Sequence, residues 1–275
     1  MPDPRARVVL APNPGPLTLD GTNTYLLGRP GAGGAVVVDP GPDDPAHLDA
    51  IMQEAATGDQ RIELILLTHG HKDHSGGAPA LARRARAPVR ALDPAHRLGS
   101  EGLGDGDVVS AGGLEVHVIA APGHSEDSLC FLLPGPAGAP VGPGAAVLTG
   151  DTVLGRGTSV VAHPDGRLGE YLDTLHRLRD LGDTRVLPGH GPELPSAGRV
   201  AEQYLRHRQE RLEQVRAALG ALGATPGPAG SWKPVGDVVD LVVASVYADV
   251  DRSLWPAAAQ SVRAQLDYLR QRPAG

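Results

Sequence analysis

The chain has 275 residues, 41 % of them hydrophobic, and a formal net charge of −7. The hydrophobic content excludes a disordered chain, and the acidic balance argues against a general nucleic-acid or membrane-surface binder, which needs many Lys and Arg side chains. A single cysteine, an N-terminus without an apolar signal segment and the lack of any apolar run near the ~20 residues of a transmembrane helix favour a cytoplasmic protein without membrane contact.

Short strands and helices alternate through the first part of the chain. Apolar, β-branched segments bounded by Gly and Pro predict the strands, and apolar residues at helical spacing predict the helices. In chain order we predict strands at Val8–Leu10, Asn23–Gly28 and Ala35–Asp39, a helix at Pro45–Ala56, a strand buried on both faces at Ile62–Leu67, a helix at Ala78–Arg86, a strand at Val89–Leu92, a hairpin over Val108–Ile119, strands at Ser128–Leu133 and Ala146–Leu148, a helix at Tyr171–Leu181 and a strand at Arg185–Leu187.

The pattern changes near Ser196. From there on it is helical, interrupted only by a Gly- and Pro-rich linker over residues 223–231. We therefore expect two domains. Residues 1–195 form the α/β domain, and residues 196–275 form a C-terminal domain of three helices.

The segment from Thr68 to Gly77 follows a predicted buried strand and contains four candidate metal ligands within six residues: His69, His71, Asp73 and His74. Imidazoles and carboxylates are ligands that zinc favours, and a loop leaving a strand can direct them toward two centres. The alternative is an ordinary polar loop. Six other histidines lack such company and are interpreted as structural: His47, His96, His117, His163, His176 and His207.

Together with Pro122-Gly123-His124, Thr149-Gly150-Asp151 and Leu187-Pro188-Gly189-His190, this segment resembles the motifs of the metallo-β-lactamase superfamily. The four motifs occur in the family's order. The resemblance implies an α/β fold, the αββα metallo-β-lactamase sandwich, here with a small C-terminal helical domain that is winged-helix-like. It also implies a two-metal site in which zinc is expected, with manganese and iron as alternatives.

Residue by residue, the resemblance assigns the ligands of each ion. His69, His71 and His124 would hold the first metal, and Asp73, His74 and His190 the second. Asp151 would bridge the two ions. A hydroxide between the metals would be the nucleophile. Asp73 and Asp151 are the expected catalytic residues, and Asp73 would help to orient that hydroxide.

A closer resemblance is to the group that contains the endoribonuclease β-lactamase-like protein 2. It is carried by Asn13-Pro14-Gly15, Thr18-Leu19, Gly21-Thr22-Asn23-Thr24-Tyr25-Leu26 and Tyr204-Leu205-Arg206-His207-Arg208. The chain departs from some members at Ser128 and from the usual tail at Gln265, where histidines are expected. The resemblance implies a hydrolase that cleaves single-stranded RNA.

Two alternatives remain open. A thioester hydrolase, either glyoxalase II-like or acting on acyl carriers, would share much of the ligand set, and the acidic charge suits a small acyl thioester. A protein of another class, a winged-helix-like binding module with a vestigial metal site, would bind a partner without catalysis. The oligomeric state is left open.

Three further features of the sequence lead to hypotheses. Asp39 either orients a ligand imidazole or forms the turn before Pro40, and Cys130 is interpreted as a small core residue. In the tail, four side chains recur at helical spacing and share one face: Tyr204, His207, Arg208 and Arg211. This face either contacts a polyanion such as RNA or packs against the protein.

Overall fold

Two five-stranded sheets lie face to face in the computed structural model, which describes residues 3–99, 101–135, 138–227, 232–233 and 237–271. The first sheet contains, in spatial order, β1 (Ala6–Leu10), β2 (Asn23–Leu27), β3 (Gly34–Val38), β4 (Arg61–Leu66) and β5 (Val89–Arg90). The second runs from β10 (Arg185–Pro188) through β9 (Ala146–Gly150), β8 (Leu129–Leu133) and β7 (Leu114–Ala120) to β6 (Val108–Ala111). Both sheets are mixed, since β4 is parallel to β3 and β5, and β10 is parallel to β9.

The alternation of side chains along β3 and β4 fixes the layers on either side of the first sheet. Val36 and Leu66 face the second sheet, whereas Val37 and Ile65 face α1 (Pro45–Thr57) and α3 (Ala78–Ala85). The strand predicted to be buried on both faces is therefore buried over most of its length.

Helices also cover the outer face of the second sheet. Cys130 and Val186 of that sheet pack in one cluster with Tyr171 of α4 (Leu168–Arg179) and with α5 (Ala197–Ala221). The molecule thus has the four layers of the predicted αββα sandwich. Cys130 is fully buried, as expected for a core residue.

The tail contains the three predicted helices, α5, α6 (Val238–Val246) and α7 (Trp255–Gln271). The linker prediction is wrong in part, because β11 (Thr225–Pro226) pairs antiparallel with β12 (Trp232–Lys233) across it. Residues 228–231 of that linker lie outside the described residues. In the described part of the chain, no helix is both long and apolar enough to cross a lipid bilayer.

The first tail helix packs closely on the α/β domain. Val200 and Leu212 of α5 share a hydrophobic cluster with Leu175 and Leu178 of α4. The division into 1–195 and 196–275 remains a proposal. At this division, the two parts share one core.

Candidate metal centre

The seven histidines and aspartates of the four motifs lie together in two groups at one edge of the sandwich. They reach this edge because each motif follows a strand. The loop after β4, with the single helical turn α2 (Lys72–Ser75), carries the four candidate ligands of the first motif. The loops after β7, β9 and β10 carry His124, Asp151 and His190, respectively.

The first group consists of His69, His71 and His124, with one ligand atom of each within 4.8 Å of the others. Nδ1 of His71 lies 3.2 Å from Nε2 of His124. His69 and His124 are buried, whereas the side chain of His71 is 41 % exposed. The group therefore opens to solvent on the His71 side.

The second group consists of Asp73, His74, Asp151 and His190. Nε2 of His190 lies 3.2 Å from Nε2 of His74 and 3.2 Å from Oδ2 of Asp73. Both imidazoles are completely buried, but 31 % of the Asp73 side chain is exposed. Asp73 is thus the member of this group on the open side.

Asp151 lies between the two groups. Its Oδ1 is 3.2 Å from Nε2 of His74 in the second group, and its Oδ2 is 3.7 Å from Nε2 of His124 in the first. The two oxygens of one carboxylate therefore face different groups, which is the arrangement expected of a bridging ligand.

Backbone carbonyls hold two of the rings from the side away from the site. Nδ1 of His124 donates to the carbonyl of Val160 at 2.7 Å, and Nδ1 of His190 donates to that of Gly21 at 3.0 Å. A carbonyl only accepts, so each Nδ1 carries the hydrogen. In the neutral rings, Nε2 then directs a lone pair into the site.

Asp39 holds a third ring and, through Thr68, a fourth. Its Oδ2 accepts from Nδ1 of His74 at 2.9 Å and from Oγ1 of Thr68 at 2.6 Å. Since the Thr68 hydroxyl donates its hydrogen to Asp39, it accepts from Nδ1 of His69 at 3.0 Å. Asp39 thus contacts the imidazole of His74, as the first of the two hypotheses for this residue requires. That His74 binds a metal stays a prediction.

These inward lone pairs fit a bound cation. Nε2 of His74 and of His190 face each other at 3.2 Å with both Nδ1 atoms protonated, so a positive charge between them removes a repulsion. Nε2 of His69 is buried without a hydrogen-bond partner. Imidazole nitrogens and carboxylate oxygens suit zinc, and also manganese or iron. The clusters are therefore compatible with a dinuclear metal site.

In the metal-free chain, protons compete for the second group. Burial opposes a charge on His74, but the carboxylates of Asp151 and Asp39 raise its pKa well above the usual range. Burial likewise opposes protonation of His190, yet hydrogen bonds to Asp151 and Asp73 raise its pKa to about 9. The imidazolium of His74 in turn holds the pKa of Asp151 well below its usual range, against the effect of burial.

In the first group, burial outweighs the nearby carboxylate, so the pKa values are lowered. Burial lowers the pKa of His124, and burial together with the neighbouring His74 lowers that of His69 well below the usual range. These two rings are neutral, with lone pairs that a metal can take without displacing a proton.

A cavity of about 550 Å³ opens beside the first group. Its lining combines the exposed ligand His71 with four carboxylates and contains no Lys or Arg among the described residues: Gly70, His71, Leu92, Asp93, Pro94, His96, Glu126, Asp127 and Asp165. Nε2 of His71 lies 3.5 Å from Oδ2 of Asp165. The cavity that His71 shares with the first group is therefore acidic.

The residues interpreted as structural histidines stay outside both groups. His47 is buried, with Nε2 2.9 Å from Oγ1 of Thr24. His96 lines the acidic cavity. Thr68, Gly21 and Val160 hold three of the rings through a hydroxyl or a carbonyl group, a role that the sequence did not predict.

The proposed polyanion-binding face of α5 packs against the protein instead. Tyr204 and Arg208 are each only 4 % exposed. Arg208 donates to the carbonyl of Ser159, and Arg211 donates to that of Val246 at 2.8 Å. The packing hypothesis is thus the correct one for this face, and the polyanion hypothesis is wrong for Tyr204 and Arg208.

Comparisons with known proteins agree with this geometry. Residues 17–190 match the profile of the Metallo-beta-lactamase superfamily, and residues 239–272 match that of the Beta-lactamase associated winged helix domain. A metallo-beta-lactamase family protein from Thermus thermophilus has the same fold, with a TM-score of 0.74 at 23 % identity, over 98 % of this chain and 95 % of that one. The predicted winged-helix-like tail is therefore confirmed.

Two curated relatives are similar over most of the sequence. The Atrochrysone carboxyl ACP thioesterase of Aspergillus fumigatus is 33 % identical over 261 residues, which are 92 % of this chain and 78 % of that protein. The Beta-lactamase-like protein 2 homolog of Caenorhabditis elegans is 32 % identical over 215 residues, which are 75 % of this chain and 68 % of that protein.

Proposed function

The chain belongs to the metallo-β-lactamase superfamily, and from this premise we propose that it is a two-metal hydrolase that cleaves a small acyl thioester. The first ion would be held by His69, His71 and His124 and the second by Asp73, His74 and His190, with Asp151 between them. Zinc suits this donor set best, and manganese and iron are the alternatives.

The metals would supply the reactive chemistry, and the side chains would set its geometry. Two ions held there would acidify a water molecule and polarise the carbonyl of the substrate. The half-exposed carboxylate of Asp73 lies on the open side of the second group, where it can accept a hydrogen bond from that water and orient it. The carboxylate of Asp151, whose side chain is 12 % exposed, lies between the two groups and would hold them at a fixed separation. Addition of water to the thioester carbon and cleavage of the carbon–sulfur bond would give a carboxylate, a thiol and a proton.

The acidic cavity beside His71 is the observation that favours a thioester over RNA as the substrate. RNA brings several phosphates to a protein, and binding proteins neutralise them with Lys and Arg. Here the cavity beside His71 contributes four carboxylates instead, which repel neighbouring phosphates. An uncharged acyl thioester meets no such repulsion. The similarity to a protein named as a thioesterase supports the same choice.

Cleavage of single-stranded RNA is the second candidate. It is favoured by the N-terminal motifs and by the similarity to the Beta-lactamase-like protein 2 homolog. It loses one argument, however, because Tyr204 and Arg208 of α5 are buried and cannot form a basic surface for RNA. A binding module with a vestigial site is less well supported, because all seven ligand positions are filled by histidine or aspartate.

The test compares two substrates on one preparation. Zinc-loaded protein is assayed with an uncharged acyl thioester of N-acetylcysteamine and with a fluorogenic single-stranded RNA, using His74→Ala as the background for both. We expect thioester hydrolysis well above the background and RNA cleavage at the background. RNA cleavage without thioester hydrolysis would overturn the choice of substrate. Hydrolysis of neither substrate would contradict the proposed thioester hydrolase.

A further inference from the structure

Arg208 is a buried cation in the middle of α5. It is 4 % exposed, its guanidinium donates to the carbonyl of Ser159, and it lies 5.0 Å from the centre of the Tyr171 ring. Its Nε has no hydrogen-bond partner, and it forms no ion pair within the described residues. Burying an arginine without a carboxylate is costly. We therefore expect its hydrogen bond to the Ser159 carbonyl, which an apolar side chain could not make, to have a role in the site.

Arg208 contacts the carbonyl of Ser159, and the carbonyl of the next residue, Val160, holds the ring of His124. Ser159 precedes Val160, whose carbonyl accepts from Nδ1 of His124 at 2.7 Å, and Oγ of Ser159 lies 3.2 Å from the same nitrogen. Holding the Ser159 carbonyl fixes the plane of the peptide between Ser159 and Val160. The Val160 carbonyl belongs to the following peptide, which is joined to this plane at the Cα of Val160. Its direction, and with it the orientation of the His124 ring, is therefore set from the fixed plane.

Two tyrosines hold the start of the same segment from the same side. The Tyr171 hydroxyl donates to the carbonyl of Thr152 at 2.6 Å, and the Tyr204 hydroxyl accepts from the amide of Leu154 at 3.0 Å. Residues 152–160, which follow Asp151, are therefore tied to α4 and α5 at both ends. Arg208 is the tie nearest to His124.

We propose that Arg208 is a positioning residue for the first group of ligands. By fixing the peptide between Ser159 and Val160 it orients His124, so the tail helix strengthens metal binding without touching a metal. This inference rests on the metal centre of the proposed function and is independent of the substrate.

Arg211 provides a matched control on the same helix. Its guanidinium lies 4.6 Å from the centre of the Tyr247 ring and donates to the carbonyl of Val246. Arg211 is half-buried and also donates to Oε1 of Gln214 at 2.8 Å. It shares with Arg208 a tyrosine ring and a backbone carbonyl as partners, but all its contacts are with residues of the tail itself. Arg208→Met and Arg211→Met therefore remove similar interactions, and only the first affects residues 152–160.

The readout is zinc affinity, measured by competition with a chelator of known affinity. In Arg208→Met, one of the two dissociation constants should rise about 10- to 100-fold while the other changes less than about 2-fold, as for other residues that support a ligand. Arg208→Lys, which keeps a charged donor, should recover part of the loss. Arg211→Met should leave both constants unchanged.

Imidazole resonances identify the affected ligand. In ¹⁵N-edited spectra of the zinc-loaded protein, the Nδ1 hydrogen of His124 should exchange faster with water in Arg208→Met. The corresponding hydrogens of His74 and His190, which bond to Asp39 and Gly21, should not change.

Each remaining outcome counts against the proposal. Unchanged zinc affinity in a folded Arg208→Met variant, or an equal loss of both ions in Arg208→Met and Arg211→Met, would reduce Arg208 to a packing residue. If Arg208→Met does not fold, Arg208→Lys, which is expected to keep only part of the zinc affinity, takes its place. Zinc affinity and exchange of the His124 Nδ1 hydrogen equal to those of the wild type would then overturn the proposal. Failure of the wild type to bind metal would instead contradict the proposed function.

Discussion

In four of the five histidines of the site, the nitrogen that faces away from the centre is already hydrogen-bonded. Asp39 and the carbonyls of Gly21 and Val160 place a hydrogen on the outward nitrogen, so the inward nitrogen is the one that a metal would meet. It carries a free lone pair in His69 and His124, and after loss of a proton in His74 and His190. Preorganised ligands lose little conformational entropy on binding. The residues around the ligands thus matter for affinity as much as for orientation.

The first prediction at this scale concerns His74. His74→Ala should remove one metal ion per chain and abolish hydrolysis, because it removes a buried ligand of the second group. His117→Ala is the control, since His117 lies on β7 outside both groups. Metal content and turnover are measured on both variants. Wild-type turnover in His74→Ala would make a two-metal mechanism untenable.

The second prediction concerns pH. The pKa of His74 is raised well above its usual range in the metal-free chain, and that of His190 to about 9, so both rings hold protons at pH 7. Zinc takes the same lone pairs, and loading at pH 7 should therefore release protons into a weakly buffered solution. Release should be smaller above the pKa of His190, for example at pH 9.5. An equal or larger release at pH 9.5 would show that these rings are neutral in the metal-free chain.

At the scale of elements, the site is built at the ends of strands, which is why it could be predicted. Each ligand motif directly follows an apolar, β-branched segment, and such segments are recognisable from sequence alone. The family motifs then identified the residues that lie together. The two sheets and the layers around them followed from the same resemblance.

Two physical reasons explain why the sequence did not reveal some of the residues. The carbonyls of Gly21 and Val160 belong to the backbone, and no side-chain pattern marks them. The face of α5 with Tyr204 and Arg208 was ambiguous for another reason. Helical spacing places residues on one face but does not say whether that face meets water or protein.

Gly123, the residue before His124, lies so close to α4 that no side chain fits there. Its φ is +132°, and an added Cβ would lie 2.3 Å from Cα of Tyr171 on α4, a backbone atom that cannot move aside. Gly123→Ala should therefore destabilise the fold by more than the about 1–2 kcal/mol of a left-handed alanine, and it should displace His124.

Gly106→Ala is the matched control. Its φ is +83°, and an added Cβ would meet no atom within 4 Å. Denaturant unfolding of both variants gives the comparison. Equal losses of stability would mean that the contact with α4 imposes no constraint on this motif.

At the scale of the whole molecule, the tail is part of the core that supports the metal centre. Leu212 and Val215 of α5 pack in the cluster that contains Leu175 and Leu178 of α4. A fragment ending at residue 195 would expose this cluster to water, at about 25 cal/mol for each Å² of apolar surface.

We therefore expect the fragment 1–195 to aggregate or to lose cooperative unfolding. Thermal unfolding and light scattering of the fragment and the full chain provide the measurement. A soluble fragment that unfolds cooperatively at the temperature of the full chain would instead support two independently folding domains.

We expect one chain to hold two metal ions at the groups around Asp151. Elemental mass spectrometry of protein supplied with zinc at neutral pH and then desalted tests it most directly. Seven donors are too many for a single tetrahedral zinc site, so we expect two zinc ions per chain in the wild type. Retention of no metal, or of a single ion under saturating zinc, would contradict a dinuclear site.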